Sequence, residues 1–317
     1  IRGGNTDQNL IMLDGITVYN PSHLGGVFSN FIVDGVKEAE LIKGAYNAEY
    51  GGRLSAVLNV ISREGNQKEF KGKANISLLS AQTTLEGPFY KGAWILSGRR
   101  TYFDLVLPKV LPDNIATNIP PYFFYDVQGH IFSDISSKDR FSLSYYTGID
   151  DILFDTFGLD GRWGNNTISG HWRRVFSERL VGNFLVANSN FRTMFGLGGD
   201  GGLVNDNIID DRTISADLSW FKTPDQTIKF GFQNKILGFE YFSEFQDSTV
   251  FRIKNSPLEF GTYAKMKYNF SDVLILEPGV RLNYYDVFPD SLYPDLRFGL
   301  KYLLTDDRYI NLSVGNY

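Results

Sequence analysis

The residues of this 317-residue chain that could do chemistry are three histidines and a few acidic clusters; there is no cysteine. Thiolate metal sites, Cys nucleophiles and disulfides are therefore excluded. His23, His130 and His171 stand far apart, and none has a partner at metal-ligand spacing. His130 alternates with Asp126 and Gln128, so it reads as a polar residue facing a hydrated interior. No Ser/His/Asp order, paired-acid motif or zinc signature stands out, which points away from an enzyme and calls for no cofactor. The stretch Asn205, Asp206, Asn207, Asp210, Asp211 is rich in the hard oxygen ligands that calcium takes. Asp206, Asp210 and Asp211 are its candidate ligands, although the spacing matches no known calcium loop. Gly196–Gly201 spells G-x-G-x-x-G, but a dinucleotide site needs a helix to open directly after it. Leu203-Val204-Asn205-Asp206-Asn207 has no helical pattern, so this is a surface loop.

The elements that carry these residues are strands. In the stretch 273–287, Leu274, Leu276, Val280, Leu282 and Tyr284 share one face, and Glu277, Gly279, Arg281 and Asn283 the other. From Asp295 to Leu304, Leu296, Phe298, Leu300, Tyr302 and Leu304 oppose Arg297, Gly299 and Lys301. From Leu258 to Phe270, Thr262, Ala264, Met266, Tyr268 and Phe270 oppose Tyr263, Lys265 and Lys267. A period of two puts each set on one side of a sheet. One greasy face and one charged face is what a wall between lipid and a wet lumen requires. No run of 18 apolar residues exists, so a transmembrane helix is excluded while a barrel is not. The 15% aromatic content suits the ring girdles of such a barrel. With 31 basic against 36 acidic residues, there is no electrostatic footprint for nucleic acid.

Tight polar turns are expected at 90–92, 136–139, 177–178, 223–225, 271–272 and 305–307. Longer links are expected between them, at 108–121, 155–166, 196–211, 244–257 and 288–294. Short turns at one rim and long loops at the other is the outer-membrane barrel pattern, with the short side periplasmic. About 13 strands can be counted from Lys71 onward, many of roughly 10–15 residues, long enough to cross a bilayer at a tilt. A soluble β-sandwich would use shorter strands. Arg99-Arg100 and Arg173-Arg174 break the alternation, so each pair belongs near a rim or against a partner protein. The chain opens at Ile1 without Met and stops at Tyr317 inside an alternating run. With the odd strand count, this gives the expectation of a polypeptide cut at both ends.

The first 66 residues differ in texture, being Gly-rich with short apolar runs near Asn9–Leu13, Val36–Ile42 and Ala56–Ser62 and room for a short helix. Four blocks recur in order: Ile1-Arg2-Gly3-Gly4; Asn9-Leu10-Ile11-Met12-Leu13-Asp14-Gly15; Glu40-Leu41-Ile42-Lys43-Gly44; and Ala48-Glu49-Tyr50-Gly51-Gly52-Arg53 running into Leu54–Ser62. Their order and spacing resemble the plug domain of TonB-dependent outer-membrane receptors. The Arg-Gly-Gly opening, Tyr19-Asn20-Pro21 and Tyr50-Gly51-Gly52-Arg53 look most like the variant common in Bacteroidetes-type bacteria.

The resemblance implies a membrane all-β fold: the C-terminal part of an α+β plug over residues 1–66, then, over 67–317, the N-terminal part of an antiparallel transmembrane barrel that has about 22 strands in the family. It implies a cell outer membrane location as a multi-pass β-barrel, surrounded by outer-membrane lipid. The partner is the TonB–ExbB–ExbD system, reached through a segment absent from this chain; outer-membrane partner subunits or a surface lipoprotein are further partners. The function implied is TonB-dependent import of a scarce nutrient such as a siderophore, cobalamin, glycan or peptide. The alternative is a structural or assembly subunit of a larger outer-membrane complex. By the resemblance, the plug apices meet the ligand, which places Arg2, Asn5, Asp7, Tyr19, Asn20, His23, Phe28 and Asn30 in a candidate binding site. Arg2 and Arg53 are candidates for a latch onto acidic residues of the barrel wall. Gly3, Gly4, Asp14, Gly15, Gly44, Gly51 and Gly52 read as turn and close-approach positions that build the plug rather than bind anything.

Overall fold

The computed structural model describes residues 8–43, 47–112, 121–154, 158–288, 291–305 and 307–316. The N-terminal sheet contains β1 (Leu10–Leu13), β2 (Ile16–Thr17), β5 (Val36–Lys43) and β6 (Ala56–Ser62), in the order β2-β1-β6-β5. A separate pair, β3 (Ser22–His23) and β4 (Phe28–Ser29), forms a small arm. β1 lies centrally, with both edges paired to β6 and β2, and both its faces are covered, Leu13 and Ile11 packing in one core cluster and Leu10 and Met12 in another. Its apolar run without alternation follows from that. β5 is an edge strand, and its charged, exposed Val-Lys-Glu-Ala-Glu-Leu-Ile-Lys sequence suits an edge. The expected short helix is absent among the described residues; two 3-10 turns, Leu24–Gly26 and Val33–Gly35, take its place.

Asp14 and Gly15 make the two-residue turn between β1 and β2, with φ of 48° and 81°. Two positive φ values define the hairpin turn whose twist matches its strands, and Asp-Gly meets that demand.

The second sheet comprises β7 (Lys71–Ile76), β8 (Ser80–Phe89), β9 (Gly92–Thr101), β10 (Tyr122–Asp134), β11 (Asp139–Phe154), β12 (Leu159–Ser177), β13 (Leu180–Leu197), β14 (Leu203–Thr223), β15 (Gln226–Phe245), β16 (Ser248–Asn255), β17 (Leu258–Ser271), β18 (Leu274–Tyr285), β19 (Leu292–Thr305) and β20 (Arg308–Gly315). Consecutive strands pair antiparallel in chain order, with β16 off the main path. β15 pairs with β16 along Phe239–Phe245 and with β17 along Gln226–Ile236. β16 and β17 thus form one long arm, broken at Ser256-Pro257 where proline has no N–H to give. One short helix, α1 (Phe103–Val110), follows β9.

The expected tight turns at 90–92, 136–139, 177–178, 223–225 and 271–272 join strand to strand. Three of the expected long links prove mostly strand: β12 begins at Leu159, β14 begins at Leu203, and β16 fills Ser248–Asn255. Their Asn, Asp and Gly residues suggested loop, but the ladder continues through them, with Thr193 opposite Asn207 and Asn190 opposite Asp210. β14 and β15 reach 21 and 20 residues. About 9–11 residues suffice to span a bilayer, so these strands rise well beyond it.

Burial in this sheet is inverted relative to a soluble protein. Phe141, Leu143, Val186, Ile214, Trp220, Phe230, Val280, Leu282, Leu296 and Leu312 are exposed. Ser97, Asp126, Ser144, Thr167, Ser189, Asp211, Arg281, Asn283 and Arg297 are buried. The buried face lies against the N-terminal domain. Tyr146 completes the plug core of Leu13, Val18, Phe31 and Val60, and Ile16 packs against Leu185 and Ala187. The sheet is therefore the wall of a transmembrane β-barrel, apolar outside and polar inside, wrapped on a plug.

A guanidinium on the outer face should be costly. Val186→Arg, at a position 63% exposed, is expected to destabilise the inserted barrel by roughly 2–4 kcal/mol if near the bilayer midplane, read from urea unfolding in lipid vesicles. A Ser189→Ala change on the inner face should leave the membrane-insertion yield unchanged.

Candidate functional site: the plug–wall interface

The plug meets the wall through polar side chains at several places, of which four involve residues singled out in the sequence. At the first, His23 is 0% exposed and lies between two wall carboxylates. Its Nδ1 is 2.7 Å from Asp150 and its Nε2 2.8 Å from Asp126. The imidazole stacks on Phe124, with centroids 4.0 Å apart. Burial works against charge on His23, but the two carboxylates outweigh it and raise its pKa.

At the second place, the Asn165 side-chain amide imitates a strand neighbour. Its oxygen accepts from the Tyr19 amide at 3.1 Å, and its nitrogen donates to the Asn20 carbonyl at 2.7 Å. The Tyr19 hydroxyl donates to Asp211 at 3.0 Å; burial, then that carboxylate, pushes the phenol well up. Lys235 donates to Thr17 at 2.9 Å and to Asp211 at 3.3 Å.

The third place is the β1–β2 turn. The Asp14 carboxylate accepts from the Ser62 amide at 2.8 Å and hydroxyl at 2.6 Å, tying the turn to β6. His171 of the wall reaches the Asp14 carbonyl at 2.7 Å.

The fourth is the segment before and through Tyr50-Gly51-Gly52-Arg53. Glu49 accepts from Lys229 and Lys265, each at 2.5 Å. Burial alone would raise the Glu49 carboxyl, but the two ammonium groups hold it below its usual range. Arg281 donates to the Ala48 and Glu49 carbonyls at 3.4 and 3.2 Å, and Arg297 to those of Asn47 and Tyr50 at 2.8 and 2.6 Å. A Cβ on Gly51 would collide with the Arg281 guanidinium. Gly51 is thus needed for the approach of a side chain, whereas Gly52 is needed for its φ of 75°.

Arg2, Gly3, Gly4, Asn5, Asp7 and Gly44 lie outside the described residues. Of the other candidate binding residues, Tyr19, Asn20 and His23 are turned to the wall. Asn30 is 2% exposed and donates to the Asn20 carbonyl at 2.5 Å. Phe28 packs on Phe124. The surface of this apex is Leu24-Gly25-Gly26-Val27, with Val27 67% exposed. Polar residue types in a loop suggested ligand contact, but Tyr19 and His23 are spent on the wall and the Asn20 and Asn30 side chains on the plug itself. Around Arg53 the latch polarity is reversed, although Arg63 of the plug does donate to Glu86 of the wall at 3.0 Å. Arg53 donates to the neighbouring Gly52 carbonyl at 2.8 Å, and no carboxylate sits at ion-pair distance among the described residues. Here the plug supplies the carboxylate and carbonyls, and the wall supplies Lys229, Lys265, Arg281 and Arg297.

The candidate calcium ligands do not converge. They are strand residues of β14: Asp206 pairs with Arg192, Asp210 accepts from Asn190 at 2.7 Å, and Asp211 faces the plug on the opposite side of the sheet. No cluster of three or more metal-ligating side chains occurs among the described residues. Sequence reading missed Asp126 and Asp150 as plug partners. Asp126 stands two residues from Gln128 on the lumen face, and that in-phase charge was the available signal.

Residues 1–57 match the sequence model of the TonB-dependent receptor plug domain. Residues 1–57 carry a plug domain of the TonB-dependent receptor type. No curated protein sequence matches the chain. Among solved structures, a mutant of the ferric enterobactin receptor from Pseudomonas aeruginosa superposes with a TM-score of 0.73 at 14% identity, covering 99% of this chain and 55% of that one. The siderophore receptor PirA from Pseudomonas aeruginosa gives 0.73 at 15% identity, covering 99% and 54%. The unliganded ferric citrate transporter FecA gives 0.69 at 13%, covering 99% and 55%. At such identities the likeness is one of fold: a plug enclosed by an antiparallel barrel wall. The chain spans about half the length of these structures.

Two outcomes follow for the receptor plug. Gly51→Ala displaces Arg281 from the plug carbonyls and is expected to cost roughly 1–3 kcal/mol, the range for overpacked sites, seen as a lower urea midpoint for plug release. The Glu49 contribution is present above the ordinary carboxylate pKa and is lost as pH falls through the depressed folded value. Plug release on acidification should therefore lose one component in Glu49→Gln, measured by acid titration of a fluorophore on the plug.

Proposed function

We propose that the protein works as an outer-membrane receptor and importer, in which a plugged barrel captures a scarce solute outside and admits it past the plug. The observation that carries this reading is a recognised plug domain held inside an apolar-sided wall by polar side-chain contacts. Contacts of that kind are individually modest because each exchanges with water when broken. A plug so held is firm at rest and can still be shifted by force. The working cycle has extracellular loops and the exposed Leu24–Val27 apex meeting the cargo, and TonB, energised by ExbB and ExbD, pulling the plug. Cargo is a solute for which an open pore would not serve: a siderophore, cobalamin, glycan or peptide. The ferric enterobactin receptor and ferric citrate transporter among the similar folds make iron chelates the first to assay.

The alternative, a structural subunit of a larger complex, drew on the two arginine pairs. Arg100 is matched by Asp104 at 2.7 Å and Arg174 by Asp139 at 3.0 Å, both on this chain. Neither needs a partner protein's carboxylate.

A strain lacking the gene is expected to lose uptake of one labelled nutrient and regain it on complementation. Unchanged import across ferric chelates, cobalamin, glycans and peptides would count against the proposal.

A further inference from the structure

The His23 site has features that general plug retention does not require. Both imidazole nitrogens sit within 2.8 Å of carboxylate oxygens. Ionised carboxylates only accept hydrogen bonds, so both ring nitrogens must donate, and an imidazole that donates twice is a cation. Every other group around it fits that charge state. From β9, Arg99 donates to the second oxygen of Asp126 through Nε at 2.8 Å and Nη2 at 2.5 Å. From β11, Tyr146 donates to Asp126 at 3.1 Å. From β10, Tyr122 donates to Asp150, which also accepts the Leu24 amide at 3.3 Å. Two cations thus balance two carboxylates in a buried site. Gly148 lies beneath, where any Cβ would strike Tyr146 and Asp126.

We propose that His23 is a proton-operated pin, fastening the plug apex to the wall as an imidazolium and releasing it when the proton leaves. Loss of the proton sets one bare ring nitrogen against a carboxylate and leaves the site with one uncompensated negative charge. An unmatched buried charge is unstable, and the segment that can move is the two-strand arm Ser22–Ser29, whose loop is the exposed apex. The direction is fixed by the sign of the shift. With the folded pKa raised, the contact is fully present below the ordinary histidine value of about 6.5 and is lost as pH rises through the folded value. The pin therefore holds at low pH and opens as pH rises through the raised folded value. This goes beyond the import reading and stands whether or not that reading holds.

The Leu24 amide reports the contact directly. In the full-length protein in lipid vesicles, its hydrogen-exchange protection factor, corrected for intrinsic rate, is expected to fall at least about tenfold between pH 6 and pH 9, the factor for one pKa unit. His23→Gln should give a low value at both pH values, and His130→Gln should keep the wild-type fall. A flat wild-type profile, or a fall that survives in His23→Gln, would overturn the proposal. Imidazole 15N shifts of the wild type test it without a variant: two protonated nitrogens on His23 at pH 7 support the pin, and a neutral tautomer refutes it.

Discussion

A charge withdrawn from water must meet an opposite charge or a full set of hydrogen bonds, and this chain draws many charges to the inner face of its wall. Asp126, Asp211, Arg281, Asp295 and Arg297 are all buried. Deleting one member of such a set while its partner stays buried costs several kcal/mol, whereas a moving plug hands both partners to water. The plug's position follows from that constraint. Arg281 needs the Ala48 and Glu49 carbonyls, Lys229 and Lys265 need Glu49, and Asp126 and Asp150 need His23. Apolar contacts such as Tyr146 in the plug core add adhesion without fixing register.

The same constraint explains why the outer face can be apolar. Backbone N–H and C=O groups in lipid have no water to turn to, so the strands satisfy them through one antiparallel ladder. Side chains are then free to sort by face. Two polar groups that do appear outside, Arg100 and Arg174, are each neutralised by a carboxylate of this chain.

Much of the wall was legible in the sequence because the signal is local. Alternation in 273–304 placed Arg281, Asn283 and Arg297 on the face that the structure buries and Val280, Leu282 and Leu296 on the face it exposes. The turn role of Asp14-Gly15 was readable for the same reason. Long-range relations were not. Nothing near His23 announces that carboxylates more than a hundred residues away will enclose it, so a histidine in an apical loop read as a ligand contact. Arg53 read as a latch because arginine is the usual partner for a buried acid, yet the polarity of a pair is set by which chain segment carries the charge. The long ladder through Asn205–Asp211 was hidden because its composition mimics a loop, while pairing with β13 and β15 holds it extended.

Nitroxide labels placed singly along β18 and β19 of the membrane-inserted protein give the most direct check on this two-faced wall. Labels at Val280, Leu282, Leu296 and Phe298 should collide freely with dissolved oxygen, as lipid-facing sites do. Labels at Gly279, Asn283 and Asp295 should be immobilised and shielded from oxygen, held between wall and plug. Equal oxygen exposure on both sets, or free access of a water-soluble paramagnetic chelate to the first, would contradict an apolar-sided barrel closed on a plug.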